Sequence, residues 1–305
     1  MLFNRINLRK RGRRNQWVGY LYILPWLIGF LIFQAGPLFA SLYFSFTDYS
    51  IIGDTNFVGL KNYLTAFTSD VNFMKSLRAT LLYVFGAVPL KLSLAFIMAL
   101  ILNSKLKGIR IFRTAYYLPS IMGASVAVAI LWRFMFMKSG YINTILGFLG
   151  FRTFDWIGSP STALFVIILI SVWQFGFAMV LYLAALKDVP TELYESASID
   201  GAGPFRRLFS ITLPSISPVI FFTIVMQLIA HFQDFTAPMI VTRGGPLKTT
   251  YLYGLLIYDN AFKFFKMGYA SALSWILFII IATITGIIFK FSNVLVYYRG
   301  GSNEE

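Results

Sequence analysis

The chain of 305 residues contains no cysteine and a single histidine, His231. The absence of cysteine excludes disulfide bonds and thiolate metal sites, and one histidine alone is more typical of a hydrogen-bonded residue than of a metal ligand. Charged residues make up only 12% of the sequence, whereas 58% is hydrophobic and the mean hydropathy is +0.72. A soluble domain carries about 25% charged residues. The composition therefore predicts an all-α integral membrane protein.

Two further absences concern chemistry. No G-x-x-x-x-G-K-[ST] run is present, so any ATP has to be bound, with its magnesium, by another chain. No cluster resembles a catalytic set, because the acidic residues other than Asp234 lie in loops and tails without a neighbouring histidine. The sequence thus predicts a chain that is not an enzyme and that binds no cofactor or metal of its own.

The formal net charge of +14 reflects basic residues that are spread along the chain rather than gathered on a soluble domain. Residues 1–17 form the densest cluster, directly before an apolar run that is too long for a signal-peptide core. This arrangement is typical of a cytoplasmic anchor, so residues 1–17 are predicted to be a basic cytoplasmic tail. Nucleic-acid binding is not expected.

Hydropathy predicts six membrane spans inside a single transmembrane domain of residues 18–298, followed by a short cytoplasmic tail, 299–305. Each predicted span is close to the roughly twenty residues that a bilayer requires. Lysine and arginine are more frequent in the segments that share a side with the N-terminus, so both termini are predicted to be cytoplasmic. The spans are 18–44, 80–102, 115–136, 162–186, 214–240 and 270–294.

A polar segment, residues 189–214, separates the fourth predicted span from the fifth. Pro190 and Glu192 suit the first turn of a helix, and Gly201 suits the turn that ends one. Pro204 can then begin a second helix. The segment is therefore predicted to form two short helices at the cytoplasmic membrane face, joined by a turn.

The letters of this segment resemble the EAA loop of the permease subunits of ABC importers, whose pattern is roughly E-A-A-x-x-D-G-A followed by I-x-L-P. Ser196 stands where the family usually has alanine. In that family the loop is the coupling helix, which docks into a cytoplasmic ATPase and transmits its motion to the membrane helices. The resemblance implies this coupling role for Glu195, Ser196, Ala197, Asp200, Gly201, Ala202, Leu213 and Pro214.

Other segments are similar to carbohydrate-importer permeases related to those for maltose, lactose and glycerol phosphate. They include Gly59 to Tyr63, Tyr117 to Pro119 and Gly244 to Pro246. The resemblance implies a compact type I ABC importer permease with six transmembrane helices, in a bacterial-type cell membrane. It also implies a second related permease that forms the other half of the pore, two copies of a cytoplasmic ATPase, an extracytoplasmic solute-binding protein and a carbohydrate substrate.

Polar side chains inside apolar spans are costly and usually face a cavity or a partner helix. Thr223, Gln227, His231 and Asp234 are spaced to share one helical face, and they are predicted to line the translocation path. Bonding to a neighbouring helix or to a partner subunit explains the same pattern equally well. Trp173 and Gln174 are weaker candidates for the path. Lys91, two residues after Pro89, has no assigned role, and Arg133 is expected near the outer end of its helix.

An ion-coupled secondary transporter is the alternative. Such proteins commonly contain internal repeats and carboxylates at the membrane midplane. Here no repeat is apparent, and Asp234 is the only candidate acid. The sequence leaves open which carbohydrate is carried, whether neutral, acidic, phosphorylated or oligomeric.

Overall fold

The computed structural model describes residues 20–51, 53–104, 107–123 and 125–292. The predicted tails, 1–17 and 299–305, lie outside these residues. All regular secondary structure in the described part is helical, and its only β-type pairing is an isolated bridge between Thr47 and Phe57. The all-α prediction is confirmed.

Twelve helices can be distinguished within the described ranges, besides the π-helical turns Pro238–Thr242 and Asp259–Lys263. They are α1 Tyr20–Ser45, α2 Lys61–Thr68, α3 Val71–Leu102, α4 Ile109–Met122, α5 Val126–Phe136, α6 Tyr141–Phe148, α7 Ala163–Trp173, α8 Gly176–Lys187, α9 Thr191–Ile199, α10 Pro204–Phe232, α11 Tyr253–Tyr258 and α12 Met267–Lys290.

Four helices, α1, α3, α10 and α12, are long and apolar enough to cross a bilayer alone. Two bent pairs, α4 with α5 and α6, and α7 with α8, bring the number to six if each pair is one span. Six spans were predicted, and each prediction overlaps one of these units. The second span begins at Val71, nine residues before the predicted start at residue 80.

The third and fourth predicted spans are not single helices. Helix α4 ends at Gly123, which has a φ of 58°, and the following helices run at 105° to it. The hydroxyl of Ser125 accepts a hydrogen bond from Val128 N and so caps the new helix. Helices α7 and α8 meet at a milder angle of 42°, beside Gln174. Hydropathy does not detect these breaks because the residues on both sides remain apolar.

Prolines explain the irregular turns within the long helices. The π-helical turns Leu31–Ala35 and Leu208–Thr212 lie directly before Gly36-Pro37 and Leu213-Pro214. A proline has no N–H for the regular i→i−4 bond, so the preceding turn widens. Consequently α10 continues through Pro214, and no break marks the predicted start of the fifth span at residue 214.

Helix α3 lies at the centre of the bundle. It packs against α7, α8, α10 and α11, while α12 packs against α1 and α2. Tyr83, Ile167, Met179, Tyr182 and Phe232 are among the largest fully buried side chains. Large aromatic groups thus fill the space between the central helices, and most of the remaining apolar side chains are exposed on the outside, as suits a lipid-facing surface.

Candidate functional site

A cavity of about 420 Å³ lies among α3, α5, α7 and the C-terminal end of α10. Its size falls in the range of roughly 300–1,000 Å³ that is usual for ligand sites. Apolar side chains form much of the wall, and polar groups project from several different helices. The polar lining residues are Tyr83, Lys91, Ser120, Ser125, Ser171, Gln174, Gln227, His231, Gln233, Asp234 and Thr236.

His231 is held on two sides. Its Nδ1 lies 2.6 Å from the backbone oxygen of Gln227, and its Nε2 lies 2.5 Å from the hydroxyl of Ser171 on α7. A carbonyl oxygen only accepts, so Nδ1 carries a proton and donates to it. Nε2 of the neutral ring then accepts from the Ser171 hydroxyl. Both ring nitrogens are therefore hydrogen-bonded within the protein, and these two bonds fix the orientation of the His231 ring in the cavity wall.

Asp234 is also held by the protein. Its Oδ2 accepts a hydrogen bond of 2.8 Å from the Tyr83 hydroxyl, and its Oδ1 accepts one of 3.2 Å from Thr236 N. The prediction that Asp234 continues a helical face is wrong, because α10 ends at Phe232 and Asp234 lies in the irregular segment that follows. The chain turns there, and the carboxylate meets α3 instead of the next turn of α10.

The other residues predicted for the translocation path divide into two groups. Gln227 and Gln174 line the cavity, and Gln174 Nε2 donates to the backbone oxygen of Gly123, which ties α7 to the end of α4. Thr223 does not line it: the residue is buried, and its hydroxyl is 2.6 Å from that of Tyr182 on α8. Trp173 does not line it either, since its ring packs edge-on against Trp132 at 5.7 Å.

Sequence reasoning missed six polar cavity residues, Tyr83, Ser120, Ser125, Ser171, Gln233 and Thr236. A lone tyrosine or serine in an apolar span gives no periodic signal, because several helices each supply only one or two of these groups. Gly176 was also missed. An added Cβ there would overlap Tyr116 O and lie 2.7 Å from Ser120 Oγ, so α8 can approach α4 this closely only with glycine.

The segment 189–214 forms the predicted turn and the first predicted short helix, α9, but the second helix is not short, because it continues as α10 to Phe232. Pro190 is the N-cap residue of α9, and Gly201, with φ of 73°, makes the turn before α10 begins at Pro204. The turn is closed by Arg207, whose Nε donates to Ala202 O at 2.7 Å. The Tyr194 and Thr212 hydroxyls, 2.9 Å apart, fix α9 against α10.

The predicted coupling residues lie in this segment of α9, the Gly201 turn and the start of α10, which we call the coupling bracket. Glu195, Ser196, Asp200 and Gly201 are exposed, whereas Ala197, Ala202, Leu213 and Pro214 are half-buried. Large apolar side chains are exposed beside them, with Ile199 88% and Phe205 77% accessible. Such exposure at the end of a membrane protein is typical of a surface that docks another protein.

A larger basin of about 980 Å³ lies at the opposite end of the bundle. Its wall is held together by the ammonium of Lys248, which donates to Asn72 Oδ1 at 2.5 Å, and by Tyr269, whose hydroxyl donates to Asp70 at 2.8 Å. Burial, together with a hydrogen bond to Asp259, raises the pKa of Tyr251 above its ordinary value. That hydroxyl therefore stays a proton donor at neutral pH.

Comparison with known proteins gives the wider context. Residues 91–297 match the family described as "Binding-protein-dependent transport system inner membrane component". The chain is 46% identical over 296 residues to a Bacillus subtilis (strain 168) protein named "Probable ABC transporter permease protein YesP", covering 96% of this chain and 95% of the relative. It is 33% identical over 291 residues to the Pectobacterium atrosepticum "sn-glycerol-3-phosphate transport system permease protein UgpA", covering 94% and 97%.

Two solved structures share the fold. A chain of a bacterial alginate ABC transporter, in complex with a periplasmic protein bound to an alginate pentasaccharide, superposes with a TM-score of 0.82 at 24% identity, covering 94% of this chain and 97% of that one. A chain of a bacterial ABC transporter involved in import of the acidic polysaccharide alginate gives 0.83 at 23% identity, covering 95% and 99%. The chain therefore shares its overall fold with these two chains over most of its length.

Proposed function

Because the chain belongs to the family of inner membrane components of binding-protein-dependent transport systems, we propose that it is the permease subunit of an ATP-driven carbohydrate importer. It forms one half of the translocation path, and a second, related permease forms the other half. Energy comes from two copies of a cytoplasmic ATPase, and an extracytoplasmic solute-binding protein delivers the sugar. The relatives named above support this assignment.

The observation that carries the coupling role is the bracket formed by α9, the Gly201 turn and the start of α10. It presents exposed Ile199 and Phe205 beside the carboxylates of Glu195 and Asp200. Continuity of α10 from Pro204 to Phe232 connects this surface mechanically to the cavity. Movement of a docked ATPase is thereby transmitted along one helix to the Gln227 and His231 wall.

The proposed cycle follows from this connection. ATP closes the ATPase dimer and draws the coupling surfaces of the two permeases together, and the long helices then turn the cavity towards the outside. There the basin on the outer face, opposite the coupling bracket, receives the sugar from the binding protein. In this proposal both termini are cytoplasmic, and the distribution of lysine and arginine along the sequence supports that orientation.

The cavity suits a carbohydrate in its chemistry. Sugar hydroxyls both donate and accept hydrogen bonds, and an amide group can do the same. Neither the side-chain amide of Gln227 nor that of Gln233 has a hydrogen-bond partner among the described residues, and both line the cavity. These two amides are the groups we assign to hydroxyl binding.

Co-purification tests the proposal. The chain is tagged at its C-terminus, extracted gently from its own membranes, and the accompanying proteins are identified by mass spectrometry. We expect a second six-span permease and an ABC ATPase in stoichiometric amounts. A matched purification of a variant with Phe205→Asp should retain the permease and lose the ATPase, and recovery of a stable, monodisperse chain without an ATPase would contradict the proposal.

A further inference from the structure

The cavity is lined by one lysine, Lys91. Lys91 lies on α3, two residues after Pro89 and inside a membrane-spanning helix, and only 8% of its surface is accessible. It nevertheless lines the cavity. The proline removes one backbone hydrogen bond from this turn, but it gives the ammonium no partner.

The Lys91 ammonium makes no hydrogen bond and no ion pair with any residue that the structure describes. Asp234 is the carboxylate that acts on it electrostatically, yet both Asp234 oxygens are engaged elsewhere, by Tyr83 and by Thr236 N. A buried ammonium is normally paired or hydrogen-bonded, because leaving water is costly for a charge. This one is open only towards the cavity.

The other basic candidate does not compete for this role. Arg133 on α5 is absent from the cavity lining, and its Nη1 donates to the backbone oxygen of Ile240 at 3.2 Å. Both ring nitrogens of His231 are already hydrogen-bonded within the protein, to Gln227 O and to the Ser171 hydroxyl, so the ring has no free donor for an anion. Lys91 is the only lysine or arginine among the described cavity residues.

We propose that Lys91 selects substrates with an anionic group, so that the importer carries an acidic or phosphorylated carbohydrate whose carboxylate or phosphate pairs with this ammonium. The Gln227 and Gln233 amides bind the hydroxyl groups of the same molecule. An ammonium with three free donors is a strong partner for either anion. The inference rests on the proposed function and narrows its substrate class.

A structural counter-charge for Asp234 is the competing role for Lys91. The two roles differ in what removal of the charge does. Loss of a counter-charge disturbs the cavity for every substrate alike, whereas loss of a substrate contact changes the preference between charged and neutral sugars. The preference is therefore the quantity to measure.

The experiment uses the purified permease complex without its binding protein, since that protein makes its own selection. Equilibrium binding is measured for three labelled probes: an alginate trisaccharide, which carries carboxylates, sn-glycerol 3-phosphate, and neutral maltotriose. The variants are Lys91→Gln, Lys91→Arg and a matched control, Lys75→Gln. Lys75 is exposed near the N-terminal end of α3, the helix that also carries Lys91, and it does not line the cavity.

We expect the wild-type complex to bind one of the anionic probes more tightly than maltotriose, and the tighter anion identifies carboxylate or phosphate as the natural group. Lys91→Gln should weaken that probe about tenfold or more, the usual weight of a charged hydrogen bond, and leave maltotriose within about twofold. Lys91→Arg should retain most of the preference, and Lys75→Gln should change nothing.

Three results would overturn the inference. These are a wild-type complex that binds maltotriose best, a wild-type complex that binds neither anion at millimolar concentration, and a Lys91→Gln variant that loses all probes equally. The first two do not depend on how well a variant folds. None of these results contradicts the proposed function. That function is tested by the co-purification experiment and would be contradicted if no ATPase accompanied the purified chain.

Discussion

Thr223 and Gln227 lie one turn apart on α10, and the structure predicts opposite consequences for changing them. Thr223 is 2% and Tyr182 1% accessible, and their hydroxyls are 2.6 Å apart. Thr223 donates to the backbone oxygen of Ile220 at 2.9 Å, so Tyr182 donates to Thr223. Thr223→Val keeps the shape of the side chain but removes the acceptor of a fully buried hydroxyl.

An unsatisfied buried hydroxyl costs about 1–3 kcal/mol, and hydrogen bonds between membrane helices average only about 0.6 kcal/mol. Because this pair is completely enclosed in the core, we expect about 1–2 kcal/mol for Thr223→Val. The double variant with Tyr182→Phe removes both polar groups and should recover most of that loss. The measurement is the Tm of the complex in detergent for the wild type, both single variants and the double variant.

Gln227→Leu provides the contrast in function. Its amide lines the cavity and has no hydrogen-bond partner among the described residues, so its loss should leave the Tm within error and reduce sugar uptake at least several-fold. Thr223→Val should leave the substrate preference unchanged. Strictly additive losses of Tm in the double variant of Thr223→Val and Tyr182→Phe would refute this division. It would also be refuted if Thr223→Val changed the substrate preference while Gln227→Leu left uptake normal.

Three further changes test other parts of the structure. Gly201→Asp should abolish uptake while leaving membrane insertion intact, because a side chain at a φ of 73° strains the turn that presents the docking surface, and the added carboxylate points into open space where a partner would dock; normal uptake would refute the coupling role. Gly176→Ala should lower the Tm, because the added methyl group forces α8 away from α4 at a cost of about 1–3 kcal/mol. The control is Gly147→Ala, whose added methyl group meets nothing within 4 Å and should not lower the Tm. Equal Tm values for the two variants would contradict the close packing. Ser171→Ala should cost about 1 kcal/mol, because it deprives His231 Nε2 of its donor, and an unchanged Tm would show that this hydrogen bond contributes nothing.

Much of the fold could be predicted from the sequence because membrane spans depend on length and apolarity alone. The turn at Gly201 was also predictable, since its φ of 73° is one that glycine readily adopts. The breaks at Gly123 and Gln174 were not predictable from hydropathy. They depend on contacts between elements, such as the hydrogen bond from Gln174 Nε2 to Gly123 O.

The cavity could be predicted only in part for a related reason. Helical periodicity places Gln227 and His231 together, but it extends the same face to Asp234, beyond the end of the helix at Phe232. It also includes Thr223, whose hydroxyl is used by a neighbouring helix. Periodicity within one helix carries no information about which helix packs against each face.

The energy source is the central claim, and uptake into proteoliposomes tests it most directly. The purified complex is reconstituted with its binding protein outside and ATP with magnesium inside, and labelled sugar uptake is followed with and without ionophores that collapse all ion gradients. We predict uptake that requires internal ATP and persists after the gradients are collapsed. Uptake that continues without ATP and stops when the gradients collapse would contradict the account and identify an ion-coupled transporter.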